Sequence, residues 1–582
     1  MSSSTPSATF PSPDAVPTAD LGPHGHVSEA HRPVVMGRRG MVCSAHPLAS
    51  LAGIGVLQRG GDAADAALAV AAALGVAEPG MSGAGGDGFI MYFRVAGPGG
   101  RRVEVLNATG PAPGAATLEN YRAGIPFKGI RSVSVPGLVD GWLEGHARYG
   151  KLPLATALKP AIQLAEGGLP VSHRLASSLA GEATFGGFAP SQAVFWPEGR
   201  PPLPGELIVN PNLARTYRGI ADHGREYFYA GPVARAIDEV SRRTGGFLFY
   251  DDLARYRARW QDPITTSYRG RLVYETPPNA SGHVLLQELN LLEGFDVASL
   301  GWHSPELIHL MVEAKKLAFA DREAYLADPD FTDVPVAALL SKDYAAERRR
   351  LIDAGRAAAP GTVKPGLDGG VAVPSGRGAR REDTTCFVVA DGEGNVVCQL
   401  QSLQQEFGSG LVAGNTGVLL NNRMTYWHLD PAHPDCLVPG KRVRHTMNHV
   451  MVFGDAGNGK PGEFLLTLGT PGADTQVQTN LQMVSGLLDF GLTPVEVVEA
   501  PRWRHIQDGT ESTLPHTLPD ALNLEARFPE TTRRRLAELG HPVQMLGPWA
   551  ATGSAMVIRR DPQTGVYWGA ADPRRDGYAL GW

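Results

Sequence analysis

The sequence predicts a mixed fold of the α+β class, in which Ala-rich helices and short β-branched strands build one integrated unit. Two observations carry this. The 582 residues are 43% hydrophobic and include 71 Gly and 46 Pro, a balance that suits a compact, loop-rich globular protein rather than a fibrous or disordered one. Runs with helical periodicity, such as 63–77, alternate with strand-like runs, such as 384–390 and 396–403, and no repeat of the solenoid or propeller kind recurs. The length would allow two to four ordinary domains, although layered folds run this long as single units.

Taken in order, residues 1–35 are dominated by Ser, Pro, Ala and Thr and read as a disordered arm. The arm has neither the basic nor the apolar region of a secretory signal, and His24, His26 and His31 read as solvated. Residues 40–43 read as a strand, 46–57 and 63–77 as helices parted by Arg59-Gly60-Gly61, and 90–94 and 102–106 as strands. A helix follows Val135-Pro136-Gly137 and ends near Tyr149-Gly150. The helix 154–166 stops at Gly167-Gly168, a glycine terminator. The section 171–260 alternates short helices with Pro-rich loops and carries no catalytic pattern. Residues 271–275 read as a strand and 284–292 as a helix. Ser304-Pro305 opens a capped helix that runs to 326, and its Lys, Arg, Asp and Glu read as a solvated face. At 354–381 the composition turns to Gly, Pro, Ala and Arg, a long loop of the linker, lid or processing kind. Beyond it, 384–390 and 396–403 read as a hairpin about Asp391-Gly392-Glu393-Gly394-Asn395. A strand at 464–468, helices at 478–490, 493–500 and 530–539, and strands at 555–558 and 566–569 close the chain.

The net charge of −6 gives no electrostatic footprint for nucleic acid or an anionic membrane. Cys43, Cys386, Cys398 and Cys436 are too sparse and irregular for a disulfide framework or a zinc site. The longest apolar run, 66–77, is too short to span a bilayer, and a cytoplasmic protein is expected.

Chemistry is sought where the long loop meets the strand, at Arg381-Glu382-Asp383-Thr384-Thr385-Cys386. A cut before Thr384 would free an α-amine beside its own hydroxyl, and that amine can then serve the hydroxyl as general base. Thr384-Thr385 also reads simply as two β-formers opening a strand. A GxSxG elbow, HExxH, a P-loop and CxxC are all missing. Gly83, Gly85 and Gly88 match GxGxxG, but a helix precedes them and a strand follows, the reverse of a dinucleotide fold. These glycines are expected to let backbone pack tightly beside a site. His428, His433, His445 and His449 match no known ligand spacing, so no metal is expected.

Several motifs resemble, in order, those of γ-glutamyltransferases. They are Glu78-Pro79 with Ser82-Gly83-Ala84-Gly85-Gly86-Asp87-Gly88-Phe89, Val135-Pro136-Gly137, Pro277-Pro278 with Ser281-Gly282, and Asp383-Thr384-Thr385. Phe407-Gly408-Ser409-Gly410, Gly417-Val418-Leu419-Leu420-Asn421-Asn422, Gly469-Thr470-Pro471-Gly472-Ala473 and Ala571-Asp572-Pro573-Arg574 complete the set. The resemblance covers nearly the whole chain from about Val35. It implies an N-terminal-nucleophile hydrolase with a four-layer αββα sandwich, without a cofactor, made as a precursor that cuts itself between Asp383 and Thr384. A large chain, 36–383 behind the arm and ending in a processing loop 354–383, and a small chain, 384–582, would form a heterodimer able to pair further. Thr384 would be the nucleophile, and the backbone N–H groups of Gly472 and Ala473 the oxyanion hole. Thr385 and Ser402 match positions beside the nucleophile, and both also read as ordinary strand hydroxyls.

Where γ-glutamyltransferases grip the free amino-acid head of their substrate, the residues differ. An arginine for the α-carboxylate is matched by Asn107, paired serines by His445-Thr446, and an aspartate for the α-ammonium by Tyr426. A glutamine is matched by Arg423 and an asparagine by Gln404. Such losses leave a zwitterionic head without charge partners. Arg423, Arg444 and His445 instead offer positive charge, and arginine suits bidentate carboxylate binding, although each arginine equally suits a structural ion pair. Tyr426-Trp427-His428-Leu429-Asp430-Pro431 with Lys441-Arg442 resembles the branch that holds oxamate amidohydrolases and some acylases. The expectation is an amidohydrolase that works through an acyl-enzyme on a small-molecule amide with a small or acidic acyl group. A classical γ-glutamyltransferase or glutathione hydrolase and an unprocessed, non-enzymatic relative are the alternatives.

Overall fold

The computed structural model describes residues 30–96, 100–367, 384–457, 459–514, 516 and 518–582. Two seven-stranded sheets face each other. One has the order Val35–Gly37, Tyr567–Ala571, Met556–Arg560, Pro461–Gly469, Val450–Asp455, Arg271–Glu275, Ile264–Tyr268. The other has the order Tyr578–Gly581, Gly40–Ser44, Thr385–Asp391, Val396–Ser402, Asp87–Arg94, Arg102–Asn107, Arg259–Gln261. The strand Thr385–Asp391 touches Pro461–Gly469 and Met556–Arg560 of the facing sheet. Helices Pro47–Gln58, Ala63–Ala77 and Leu138–Tyr149 cover the outer face of its own sheet, and Gly282–Leu292, Thr475–Leu488 and Pro494–Glu499 cover the other. This is the αββα sandwich that the resemblance implies.

The layering explains the local sequence. Every residue of Thr385–Asp391 is buried, so its middle, residues 386–390, is a continuous apolar run without alternation, as both of its faces are covered. Every residue of Ala63–Ala77 is buried as well, and small side chains let that helix lie against the helices Pro47–Gln58 and Leu154–Gly167 and the sheet together. Its start is fixed reciprocally: Asp62 accepts from the N–H of Ala64 (2.9 Å) and Asp65 (3.2 Å), while Asp65 accepts from the N–H of Asp62 (3.0 Å). The glycine motif behaves as expected. A Cβ at Gly85 would come within 2.1 Å of the Leu419 carbonyl oxygen, and one at Gly88 within 2.4 Å of that of Leu400.

Two expectations change. Residues 30–35 are not part of a loose arm, because the His31 N–H donates to Glu499 (2.5 Å), Arg32 donates to the Gly577 carbonyl (2.6 Å), and Val35 opens a strand. The rest of the arm, 1–29, and the part of the processing loop that ends in Asp383, 368–383, lie outside the described residues. The charged residues of helix Pro305–Tyr325 do not form a solvated face either. Glu313, Lys315, Lys316, Asp321, Arg322 and Glu323 are all buried. The helix is enclosed by Gly282–Leu292 and Glu530–Glu538, and several of its charges survive burial by pairing, as in Lys316–Glu313 (2.7 Å) and Arg322–Asp474. Among the described residues no helix is long and apolar enough to cross a membrane.

Candidate active site

Thr384 immediately precedes the central strand Thr385–Asp391 and is only 4% exposed. Its Oγ1 donates to Ser402 Oγ at 3.2 Å, and the Gln404 N–H donates to the same oxygen at 2.7 Å. Ser402 ends the neighbouring strand, and Gln404 turns the chain with a φ of +83°, an uncommon conformation for a side-chain-bearing residue and one that clusters at functional sites. The Gln404 side chain donates to Thr513 (3.1 Å), leaving its buried Oε1 without a partner. Thr385 lies opposite Gln401 in the ladder. Arg575 donates to the Thr384 carbonyl oxygen at 2.9 Å.

The expected oxyanion residues sit at the end of the facing strand. A Cβ at Gly469 would lie 2.8 Å from Cys386 Sγ, so the strand ends that lead to Gly472-Ala473 and to Thr384 abut. Gly472 and Ala473 have φ of +127° and +49°, and they turn the chain into helix Thr475–Leu488. Their carbonyls accept from the N–H groups of Thr475 and Gln476, both at 3.0 Å, so it is their own N–H groups, ahead of the helix, that are expected to meet developing negative charge. Asp474, which follows, takes Arg322 and both the N–H (2.8 Å) and the hydroxyl (2.7 Å) of Ser512.

Asp87 stands opposite Ser402 in the adjacent strand. It accepts from Arg423 Nε and Nη2, both at 2.9 Å, and lies 3.2 Å from His445 Nε2. Burial pushes the Asp87 carboxyl up, but Arg423 and His445 together outweigh it and hold it at about 2. Burial, reinforced by Arg423, lowers His445 to about 4. His445 is therefore neutral near pH 7, which corrects its reading as a source of positive charge, and the charge of Arg423 is already met by Asp87. The Arg423 guanidinium lies over the Tyr426 ring at 4.8 Å. Asn107 is held by its own neighbours. It donates to Asn279 Oδ1 (2.9 Å) and accepts from the N–H (3.0 Å) and hydroxyl (2.6 Å) of Thr109. Asn279 in turn accepts from the His445 N–H (2.7 Å). Thr446 Oγ1 is within 3.5 Å of Gln476 Nε2.

Arg444 does not join this group. It donates to Glu323 and to the Glu511 carbonyl (3.2 Å), and its N–H donates to Asp435 (3.0 Å). This corrects its reading as a positive charge offered to substrate. Around Glu323 the rings of His433, His428 and His516 stack, with centroids 3.5 and 3.6 Å apart and planes within 8° and 11°. His428 and His433 each bring Nε2 within 3.4 Å of Glu323 Oε1, yet the geometry does not suit a metal. An imidazole binds a metal in its own plane, and parallel planes a ring's thickness apart share no such point. His433 Nδ1 also accepts from the Asp435 N–H (3.0 Å), so its proton sits on Nε2, facing Glu323. In a second group His309 Nδ1 meets His541 Nε2 at 2.8 Å, while Glu313 is engaged by Lys316 (2.7 Å) and the Ala358 N–H (3.1 Å). Both groups are buried hydrogen-bond and ion-pair networks.

The structure thus gathers Thr384, Ser402, Gln404, Arg423, Tyr426, His445 and Asn107 and separates Arg444 from them. Sequence reasoning missed Asp87, Glu323 and Arg575. Asp87 stood inside the glycine motif, where attention went to the glycines, and its partner Arg423 is 336 residues away. No local pattern reveals such a pairing.

Comparison with known proteins agrees with this geometry. The gamma-glutamyltranspeptidase family profile matches residues 49–582. The chain is 37% identical over 552 residues to the glutathione hydrolase-like YwrD proenzyme of Bacillus subtilis, covering 94% of this chain and 99% of that one. It is 38% identical over 558 residues to the acylase ACY 1 proenzyme of Pseudomonas sp. strain SE83, covering 93% of each. The solved structure of a cephalosporin acylase from Bacillus halodurans superposes with a TM-score of 0.84 at 35% identity, covering 97% of this chain and 99% of that one. With a sandwich of this layering and relatives made as proenzymes, the chain belongs to the gamma-glutamyltranspeptidase family, whose self-processing hydrolases and acyltransferases act on amide bonds.

Proposed function

We propose that the chain cuts itself between Asp383 and Thr384 and that the resulting heterodimer, 1–383 with 384–582, hydrolyses an amide through Thr384. The observation that carries this is the setting of Thr384 at the head of a buried central strand, with its hydroxyl on Ser402. In the precursor the Thr384 hydroxyl attacks the Asp383 carbonyl carbon, the acyl group shifts from nitrogen to oxygen, and water releases it. The freed α-amine, with an unperturbed pKa of about 8, then takes the hydroxyl proton as the oxygen attacks the substrate carbonyl. Negative charge on the substrate oxygen falls to the N–H groups of Gly472 and Ala473. The proton passes to the leaving amine, and water resolves the acyl-enzyme.

The acyl group is small rather than a γ-glutamyl head, and an acidic one finds Arg423 and Arg444 already met by Asp87 and Glu323. Asn107 is tied to Asn279 and Thr109, and Arg423 to Asp87, so a zwitterionic head would meet no ready pair of opposite charges. The acylase names of two relatives favour the same reading, and the glutathione hydrolase-like name of a third keeps γ-glutamyl hydrolysis as the alternative. Four buried, unbridged cysteines suit the reducing cytoplasm. Parallel assays with oxamate, a glutaryl amide and γ-glutamyl-p-nitroanilide separate the readings, and turnover of the last at the highest rate would sink the acyl assignment. Thr384→Ala should leave one band at 61.8 kDa and no turnover; a processed, active variant would remove Thr384 as nucleophile.

A further inference from the structure

The family motif at the C-terminus, Ala571-Asp572-Pro573-Arg574, is followed by a second arginine, Arg575, and the two do different work. Arg574 turns to Glu525, donating at 2.8 and 2.7 Å, and ties the motif to the strand Ala521–Glu525. Arg575 turns to the nucleophile. Its Nη1 donates to the Thr384 carbonyl oxygen at 2.9 Å and lies 3.5 Å from Glu78 Oε1. Glu78 caps the C-terminus of helix Ala63–Ala77, so this contact joins a helix of the outer layer, the last turn of the chain and the residue just before the central strand.

A chain end ordinarily frays. Once the bond before Thr384 is cut, residue 384 keeps only its α-amine, its side chain and its carbonyl to hold it. A donor on that carbonyl fixes the plane of the 384–385 peptide, and with it the direction in which Cα presents the hydroxyl and the amine. The Arg575 side chain is 3% exposed. Burial lowers its pKa to about 10, partly offset by Glu78, and it stays charged at neutral pH. A buried cation of this kind needs its counter-charge, and Glu78 supplies it. The Glu78 carboxyl is itself pushed up by burial, against the pull of Arg575.

Building on the reading of Thr384 as nucleophile, we infer that Arg575 is a positioning residue for it, held in place by Glu78, and that both self-cleavage and turnover depend on this contact. A small misplacement of a reacting group can cost about a hundredfold in rate. Arg575→Gln is therefore expected to slow appearance of the chain that begins at Thr384 by about a hundredfold, with a far-ultraviolet circular dichroism spectrum like the parent's. Arg575→Lys keeps a charged donor beside Glu78 and should recover at least about a tenfold part of that loss, and Glu78→Gln should fall between. On an arylamide that the parent hydrolyses, kcat per titrated active site should drop while KM stays within about twofold, the pattern of an interaction that orients rather than binds. If Arg575→Gln does not fold, the lysine variant carries the test alone, with a slowing of about tenfold expected in a folded protein. Self-cleavage at the parental rate in Arg575→Gln, or in a folded Arg575→Lys where the glutamine variant is insoluble, overturns the inference, as does a lysine variant no faster than a folded glutamine variant. Thr384→Ala separates the two claims. If it is inert while Arg575→Gln behaves as the parent, only the positioning role fails. If it is cut and active, the nucleophile assignment itself fails.

Discussion

Replacing Asp87 with Asn tests the buried charge cluster of Asp87, Arg423 and His445. The perturbation keeps shape and removes charge. Asp87 is fully buried and takes two hydrogen bonds of 2.9 Å from Arg423, itself 2% exposed. A fall in its pKa from the ordinary 3.8 to about 2 corresponds to about 2 kcal/mol of stability at neutral pH. The neutral amide would also leave the Arg423 guanidinium without its counter-charge, and breaking a buried pair from one side costs about 3–5 kcal/mol. The larger figure should govern, because the orphaned cation is the dominant defect. Arg423→Met should cost less, since His445 can then take a proton and pair with Asp87. The double variant should be milder than the sum of the two by at least about 2 kcal/mol. Denaturant unfolding in a Thr384→Ala background, where one uncut chain unfolds, measures all three. A loss under about 1 kcal/mol for Asp87→Asn, or strict additivity, would refute the reasoning.

Ser402→Ala removes the acceptor of the Thr384 hydroxyl and of the Gln404 N–H. With each lost partner worth about 1–3 kcal/mol, kcat should fall about tenfold to a hundredfold, as read by steady-state kinetics. Gly85→Ala drives a Cβ to 2.1 Å from the Leu419 carbonyl oxygen and should prevent accumulation of folded protein, whereas Gly167→Ala, with nothing within 4 Å, should leave the melting temperature unchanged or slightly raised. Acid should destabilise the fold in two stages. His445 is lowered from 6.5 to about 4 by burial and Arg423, so below pH 6.5 the unfolded chain takes up a proton that the folded one refuses. Stability then drops by about 3 kcal/mol toward pH 4. Asp87, depressed to about 2, adds its loss as pH falls further, from about 4 to 2. Unfolding followed across pH should show the first stage shrink by about 3 kcal/mol in His445→Asn, with the remainder kept by His283, His303, His449, His516 and His541, which burial lowers in the same way.

The alternation of elements and the junction at Thr384 were legible from residue order. Helix Ala63–Ala77 and strand Thr385–Asp391 could be read within a residue or so, because periodicity and β-branched composition are properties of neighbours in the chain. The order of the motifs was enough to imply the sandwich. Where the charges go was settled by packing. Arg423 and Arg444 looked like open sites for a substrate carboxylate, but each meets an acid 336 or 121 residues away. Helix Pro305–Tyr325 looked solvated because its charges follow a helical pattern, whereas packing encloses it and its acids and bases beyond Glu306 are buried. A buried ion pair is selected by geometry between distant strands and helices, and the cost of desolvating either member alone leaves no periodic trace. The resemblance could therefore name the fold and the class of reaction, while the partners Asp87, Glu323 and Arg575 emerged only once the sheets had closed on one another.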